Sequence, residues 1–526
     1  MRRAAQFFFT GVFLLFMSGC GSQTQMTTPP PNNSNLSQAP VSITVTDTPP
    51  PGVAVLFFQL SITAANLTSS SGASVSLLPS SNPIPVNVAQ LQTDSAFLGS
   101  ANVAAGTYNS LSLTFSPNTQ LTIFNGSGAA IGSCANNTVC QLTPNPTNLS
   151  LSFNTSPFPV TLTANSPLAF KLDIHLNTII QQDLSVNLGA ANGVTISQLP
   201  PPPSGGPVST LGKLTGTIQS VNSVTCAITN CVPTDDFTLQ TGDGRTFTID
   251  VNSSTTYNYP SSVCSTDNFA CLAAQQIVKV EVSLQAGGTL LAAQVNYVQA
   301  AGQMVVEGNI IRLSTSNGNT MMDLILQKGP PTPTANALPF GGRATVTVPP
   351  TGVTYAVDFD SFTIPAGLTF TSASSLLVGQ QVQVVVVPGS VTTASGSGSP
   401  ISITAPAATT FTASSITLEP SQITGSVAAI NAAQLTFTLA TLPNYFVPPA
   451  PTAAAPPIPA PVIITVDTTG ATTFLPTTLS PDSILGLKVN DVVSVGGWIF
   501  STPTGATTIT LAAETVLDRG SITPLF

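Results

Sequence analysis

The sequence has 526 residues, of which only 6% are charged, and its 20 acidic residues outnumber its 11 basic ones. A nucleic-acid-binding protein needs basic side chains that replace the counterions of phosphates, so this balance excludes nucleic acid as an expected partner. The same balance argues against electrostatic binding to anionic lipids.

The hydrophobic residues, 42% of the chain, are mostly Val, Ile, Leu and Ala, and they alternate with Ser, Thr, Asn and Gln. Such mixtures are typical of β-strands whose outer faces are polar but uncharged. The length is sufficient for about three to five domains. We therefore expect an all-β protein with several domains.

Residues 1–19 have the layout of a secretory signal peptide. Arg2 and Arg3 give a positive start, residues 7–16 are apolar, and Met-Ser-Gly at 17–19 precede Cys20. The apolar run is shorter than the roughly 20 residues that a permanent membrane helix needs. The pattern indicates export.

Ser18, Gly19 and Cys20 resemble the lipobox of bacterial lipoproteins, although Met17 stands where that motif usually has leucine. The resemblance implies that Cys20 is lipidated and becomes the mature N-terminus, so that acyl chains provide the membrane anchor. An ordinary signal peptide with a chance cysteine is the alternative. Gly21, rather than an aspartate, favours the outer membrane by the sorting rule of some Gram-negative lipoproteins. We expect an exported protein that is lipid-anchored to the cell envelope, in the outer membrane.

Residues 20–40 contain Pro, Ser, Asn and Thr without apolar periodicity, which predicts a flexible tether. Residues 41–198 then show strand-like alternation, with predicted strands at 41–46, 53–67, 107–115 and 168–180. In the last of these, Phe170, Leu172, Ile174 and Leu176 should share one face, and Lys171, Asp173, His175 and Asn177 the other.

Two short motifs in this region are Asp47-Thr48-Pro49 and Ala105-Gly106-Thr107-Tyr108. They resemble an uncharacterised domain family found at the N-terminus of bacterial lipoproteins. The resemblance implies a β-sandwich over residues 41–198, and the family brings no established activity.

A Pro-rich linker at 199–209 precedes three loosely repeated units at 210–300, 301–420 and 421–526. Each unit opens with a glycine-led strand, at Gly216, Gly308 and Gly425, and later has a strongly apolar strand. The units resemble a second uncharacterised family of exported bacterial proteins, which implies small OB-like β-barrels. The expected fold is thus all-β, with an N-terminal β-sandwich followed by three tandem OB-like barrels.

Two local features belong to these repeats. Gly242-Asp243-Gly244 predicts a hairpin turn in the first unit. The Pro/Ala-rich insertion at 447–461 predicts a polyproline-like surface loop in the third.

Six cysteines remain once Cys20 is assigned to lipid, and they form three local couples. The couples are Cys134 with Cys140, Cys226 with Cys231 and Cys264 with Cys271. Six cysteines allow 15 connectivities, but local pairing needs only short loops, each stabilising by about 2 kcal/mol. Six free thiols are the alternative, which an oxidising compartment disfavours.

No catalytic or metal site is expected. His175 beside Asp173 suggests a general base, but no nucleophile signature such as Gly-x-Ser-x-Gly occurs, so a solvated strand histidine is the favoured interpretation. The acidic residues around one hairpin, and the pair Asp358 and Asp360, lack the spacing of a calcium loop. The hairpin acids are Asp235, Asp236, Asp243 and Asp250.

Aromatic residues offer one further possibility, a sugar-stacking platform formed by Trp498 with Tyr257, Tyr297, Tyr355 and Tyr445. A single tryptophan is sparse for a carbohydrate-binding protein, so core packing is the expected role of Trp498.

These observations predict a non-enzymatic, lipid-anchored envelope protein with a structural or interaction role and no cofactor. Its expected partners are the membrane, through the lipid anchor, and an envelope protein or glycan. A ligand-binding surface lipoprotein is the alternative function, and a deep pocket with converging polar groups would favour it.

Overall fold

A computed structural model describes residues 38–48, 54–79, 82–126, 129–199, 211–223, 235–260, 263–285, 287–300, 303–328, 340–358, 362–393, 401–402, 409–440, 442–443, 445–446, 463–475, 483–501 and 508–520. Several sequence predictions fall outside these residues: Cys20, most of the tether and of the linker, Cys226 with Cys231, and the insertion at 447–461.

The N-terminal part consists of short strands with one 3-10 turn, Val88–Gln90, and one helical turn, α1 (Leu176–Ile179). The strands are β1 (Gln38–Thr48), β2 (Ala54–Ser69), β3 (Ser74–Ser76), β4 (Ile84–Asn87), β5 (Ala96–Ala104), β6 (Gly106–Phe115), β7 (Gln120–Asn125), β8 (Thr138–Leu142), β9 (Ser150–Phe153), β10 (Val160–Leu162), β11 (Leu168–His175) and β12 (Val194–Gln198).

Two sheets face each other across one core in this part. The first has the order β12-β11-β1-β5, and the second is built on β10-β6-β2-β7-β8, with β3 and β4 on β2 and β9 on β6. Inward-facing side chains such as Ile43, Leu60, Leu113 and Phe170 belong to the same buried cluster. This is the predicted β-sandwich.

Two sequence-predicted boundaries in the sandwich are wrong. β1 begins at Gln38, inside the predicted tether, because its first residues pair with β5. The strand predicted at 168–180 ends at His175, where the chain turns into α1 and the backbone N–H of Ile180 donates to the carbonyl oxygen of Leu176. The alternation within β11 is confirmed up to that point, since Phe170, Leu172 and Ile174 are buried.

The C-terminal part contains three five-stranded barrels with extra short strands. Barrel 1 has β13 (Gly212–Ser223), β14 (Asp235–Thr241), β15 (Thr246–Val251), β16 (Thr256–Asn258), β17 (Ile277–Leu284) and β18 (Leu290–Gln299). Barrel 2 has β19 (Val305–Ser316), β20 (Asn319–Lys328), β21 (Arg343–Val348), β22 (Thr354–Val357), β23 (Gln381–Val386), β24 (Thr392–Thr393) and β26 (Thr409–Glu419), while β25 (Ile401–Ser402) pairs with β8 of the sandwich. Barrel 3 has β27 (Ser421–Asn431), β28 (Thr436–Ala440), β29 (Ile463–Leu475), β30 (Val492–Ser501) and β31 (Thr508–Asp518).

All three barrels share one strand order. Each barrel has five main strands, which are those left when the short strands β16, β22 and β24 are set aside. Around the barrel these five run first, second, third, fifth, fourth and back to first, and among neighbouring pairs only the third and fifth are parallel. In barrel 1 the closing β15–β18 contact spans just two residue pairs. A 3-10 turn precedes each fourth strand, at Phe269–Cys271, Ala373–Ser375 and Ile484–Gly486. The predicted fold class is confirmed.

The glycine that opens each repeat has a steric reason. A Cβ added at Gly308 or Gly425 would lie 2.7 or 2.9 Å from a carbonyl oxygen of the second strand in its barrel, and one at Gly216 would be closer still. The backbones therefore approach each other where only glycine fits. Two positions later, each strand places a buried Ile or Val in the barrel core.

One segment of the sandwich, Asn87–Phe97, contacts all three barrels; we call it the junction segment. Toward barrel 2, Asn87 Nδ2 donates to Gln327 Oε1 at 2.6 Å, and Gln90 Nε2 donates to Asn309 Oδ1 at 3.1 Å. These are side-chain amide contacts, so the interface is polar but uncharged at this point.

The same segment reaches the other two barrels. Thr424 Oγ1 of barrel 3 donates to Gln92 Oε1 at 2.9 Å. Ser95 Oγ donates to the carbonyl oxygen of Leu211, just before barrel 1, at 2.9 Å. The sandwich and the barrels thus form one compact unit, Gln38–Phe526.

Trp498 joins barrels 2 and 3. It lies on β30, is fully buried within the apolar cluster of barrel 2, and stacks on Phe362 with ring centroids 5.2 Å apart. Its indole N–H donates to the backbone carbonyl of Asp358 at 2.7 Å. Core packing is confirmed for Trp498, at an interface between barrels.

Two of the predicted cysteine couples are confirmed as disulfides, Cys134–Cys140 in the sandwich and Cys264–Cys271 in barrel 1. The pairing of Cys226 with Cys231 stays a prediction. No helix among the described residues is both long and apolar enough to cross a membrane.

Candidate functional site

The residues singled out from the sequence do not converge on one place. His175 is about a quarter exposed at the end of β11, with its Nε2 3.3 Å from Thr195 Oγ1 and 4.0 Å from Asp173 Oδ2. Thr195 lies directly opposite Asp173 on the neighbouring strand. These contacts fit a polar strand face.

The acidic hairpin of barrel 1 is held by ordinary local contacts. Asp235 accepts from Ser223 Oγ at 2.9 Å, and Asp236 accepts from Asn222 Nδ2 at 2.8 Å. The predicted turn is present, with Gly244 at φ +84°. Within the described part of the chain, no group of three or more His, Cys, Asp or Glu side chains is arranged to hold a metal ion.

The aromatic residues are also dispersed. Tyr297 packs on Tyr259 in barrel 1, at 5.3 Å between ring centroids, while Tyr355 packs on Phe370 in barrel 2. Since Trp498 is fully buried, it is not available to a sugar ring, and the structure does not assemble the platform considered above.

A cavity of about 370 Å³ lies where the junction segment meets the barrels. Its walls include Phe97 from the sandwich, Leu214 from barrel 1, Val305 from barrel 2 and Gln422 from barrel 3. Seven charged residues also line it, although only 6% of the chain is charged. They are Asp94, Lys213, Asp243, Arg245, Lys279, Glu307 and Glu419.

Arg245 closes one side of the cavity and ties barrel 1 to the sandwich. Its Nε donates to Asp243 Oδ2 at 2.7 Å, and its Nη1 donates to the carbonyl oxygens of Phe97 and Leu98 at 3.1 and 2.8 Å. The guanidinium also lies over the ring of Phe247, 5.3 Å from its centroid. These contacts satisfy a cation that is largely withdrawn from water.

Lys279 bridges barrels 1 and 2 on another side. Its Nζ lies 2.9 Å from Glu419 Oε2 and 3.3 Å from Asp358 Oδ2. Burial raises the pKa of Glu419 to about 8; the ammonium of Lys279 opposes this rise, and the charges of Asp358 and Glu307 add to it. A buried carboxyl group with charged neighbours in a cleft is a frequent mark of a functional site.

Of the seven charged cavity residues, sequence reasoning singled out only Asp243, as one of the hairpin acids, and missed the other six. A usable signal was present, because Lys279 and Glu307 interrupt strongly apolar strands, in IVKVEV and MVVEG, where a charge costs free energy unless it has a partner. The charged residues come from the sandwich, barrel 1 and barrel 2, and their convergence depends on long-range packing and leaves no local pattern.

Comparison with known families identifies the sandwich. Residues 38–194 match the model described as "Domain of unknown function (DUF4382)". The sandwich is a DUF4382 domain. The match supports the resemblance expected for this region, and it covers the junction segment but none of the barrels.

Other comparisons add little to the DUF4382 assignment. A search of curated proteins found no match. Among solved structures, "Crystal structure of the tetrameric p202 HIN2" matches at 11% identity, covering 40% of this chain and 91% of that chain, with a TM-score of 0.12. A likeness at that score supports no conclusion about fold or function.

The buried carboxyl group predicts a pH dependence of stability. Because the folded-state pKa of Glu419 lies above its ordinary value of 4.5, its contribution to stability is fully present below that value and is lost as the pH rises through about 8. Urea denaturation between about pH 5 and about pH 8.5 should show stability falling in wild type and a flatter profile in Glu419→Gln.

Glu281→Gln is the matched control, since Glu281 lies on β17 with Lys279 but is not part of the cavity wall. It should keep the wild-type profile. An unchanged slope in Glu419→Gln would show that this carboxyl group does not titrate in the expected range.

Proposed function

We propose that this chain is a non-enzymatic, lipid-anchored protein of the cell envelope that binds a ligand in the cavity at the junction of its β-domains. The observation that carries the binding role is the concentration of charge in that cavity, in a chain where charge is otherwise scarce. Ligand sites are concave, largely apolar and supplied with a few well-placed polar groups, and this cavity has that character.

The rigidity of the cavity wall supports the same role. Asp243 and Arg245 hold one another, and Gln327, which also lines the cavity, donates through Nε2 to the carbonyl oxygen of Leu56 at 2.7 Å. Groups fixed in this way lose little freedom when a ligand binds, which favours affinity.

A structural or interaction role is the second candidate. It is favoured by the packing of the DUF4382 domain and three barrels into one compact unit, which suits a rigid spacer between the membrane and an envelope protein or glycan. In that case the charged cavity would serve only to hold the domains together.

The anchor is proposed from the arrangement of Ser18, Gly19 and Cys20, and its acyl chains would embed in the membrane. Cys20→Ser should move the protein from the membrane fraction to the soluble fraction of lysed cells. Ser22→Ala, two positions away, is the control and should stay with the membrane. Membrane retention of Cys20→Ser would remove the anchor from the proposal.

The binding role predicts that blocking the cavity abolishes capture of a small molecule. Full-length protein in detergent would be incubated with a small-molecule extract of envelopes, and retained compounds would be identified by mass spectrometry. Thr215→Trp, on the cavity wall, should lose the retained compound because the indole fills the space.

Thr248→Trp is the matched control, since Thr248 is exposed on β15 of the same barrel and does not line the cavity. It should retain the compound as wild type does. Equal retention by Thr215→Trp, or no retained compound in wild type, would contradict the binding role and leave the structural one.

A further inference from the structure

Three side chains at the contact between barrels 1 and 2 bring one amine and two carboxyl groups together. Lys279 Nζ lies 2.9 Å from Glu419 Oε2 and 3.3 Å from Asp358 Oδ2. Lys279 belongs to β17 of barrel 1, whereas Asp358 follows β22 and Glu419 ends β26 of barrel 2. An amine held this close to a carboxyl group is positioned to attack its carbon, a reaction that forms an amide.

The backbone of Asp358 is fixed on two sides. Its N–H donates to the carbonyl oxygen of Leu418 at 3.0 Å, and its carbonyl oxygen accepts the indole N–H of Trp498 at 2.7 Å. Trp498 is itself fully buried. Because such packing limits where the Asp358 carboxyl group can lie, little freedom remains to be lost before it meets the amine.

The two carboxyl groups differ in their access to water. The side chain of Glu419 is 4% exposed and that of Asp358 is 22% exposed. Asp358 is therefore the carboxyl group from which a released water molecule can leave. Charges withdrawn from water carry a high free-energy cost, and an amide in place of the Lys279–Asp358 ion pair would remove one positive and one negative charge.

Glu419 has the properties of a proton carrier for this reaction. Burial raises the pKa of Glu419 to about 8; the ammonium of Lys279 opposes this rise, and the charges of Asp358 and Glu307 add to it. The carboxyl group of Glu419 is therefore mostly protonated at neutral pH. A protonated carboxyl group can give its proton through one oxygen while it accepts another proton through the second oxygen.

We propose that an amide bond forms between Lys279 Nζ and Asp358 Cγ and joins barrel 1 to barrel 2 covalently, with Glu419 as the group that transfers the protons. The reaction is a condensation, so it needs no oxidant or reductant. It does not depend on the proposed binding role.

The atoms and protons balance within these three side chains. Glu419 gives its proton to the carboxylate of Asp358 and takes one from the ammonium of Lys279, which leaves a neutral amine beside a neutral carboxyl group. The nitrogen lone pair then forms the bond to Asp358 Cγ. A second proton passes from that nitrogen through Glu419 to a hydroxyl group on Cγ, and the C–O bond breaks to release one water molecule. Glu419 ends protonated, as it began.

The bond would join residues that lie 79 positions apart in the chain. A crosslink that closes a long loop stabilises mainly by restricting the unfolded chain. Unlike the disulfides Cys134–Cys140 and Cys264–Cys271, an amide would also persist under reducing conditions. Barrels 1 and 2 would then stay joined even when both unfold.

Mass spectrometry of the full-length protein purified in detergent tests the proposal. After reduction and protease digestion, wild type should give a branched peptide that contains Lys279 and Asp358 and is lighter by one water than its two components. Lys279→Arg and Asp358→Ala should give only separate peptides. Glu419→Gln should slow crosslinking by about 100-fold or more, because it lacks an acidic proton to transfer, while Glu281→Gln should crosslink as wild type does.

Circular dichroism would establish that each variant is folded before digestion. Absence of the branched peptide from folded wild type would overturn the proposal and leave an ordinary ion pair. A branched peptide that joins Lys279 to Glu419 would overturn the choice of Asp358, and wild-type crosslinking in Glu419→Gln would overturn the role of Glu419. The extract experiment with Thr215→Trp tests the binding role separately.

Discussion

The arrangement of this molecule depends on one short segment, Asn87–Phe97 of the DUF4382 domain, which forms hydrogen bonds with all three barrels. Most of these bonds join side-chain amides or hydroxyls to amides or backbone carbonyls. Each contributes only about 0.5–1.5 kcal/mol, so no single contact holds the unit together. Their number, and the apolar clusters beside them, fix the barrels around a common point.

Only 6% of the chain is charged, so the seven charged residues that line the cavity beside the junction segment distinguish this region from the rest of the structure. Arg519, which follows β31 of barrel 3, donates to the backbone carbonyl oxygens of Asp47 and Gln92 in the sandwich. Arg245, Lys279 and Glu419 bring further charge to the wall of the cavity. Removing charges from water is costly unless each has a partner, and these residues do have partners. Apolar side chains would hold domains together equally well, which is why we propose that this group of charged residues serves a ligand.

Much of the local structure could be predicted from the sequence because it depends on neighbouring residues. The alternation in β11, the turn at Gly242–Gly244 and two short disulfides all follow from contacts within a few positions. Pairings between distant strands could not be predicted in the same way. The parallel pairing of β1 with β11 joins Val41 to Leu168, and no local pattern encodes that register.

The cavity could not be predicted from the sequence for the same reason. Asp94, Lys279 and Glu419 come from three different parts of the fold, and only the packing of those parts brings them to one place. The environment of Trp498 could be predicted only in part. Its burial was predicted, but its stacking partner, Phe362 of another barrel, was not.

The central claim is that the DUF4382 domain and the barrels form one cooperative unit around this cavity. Chemical denaturation followed by two probes tests it most directly, because Trp498 is the only tryptophan and reports the interface of barrels 2 and 3, while circular dichroism reports all strands. The account predicts coincident transitions with one midpoint. A tryptophan transition well separated from the loss of strand signal would show that the barrels unfold independently and would contradict it.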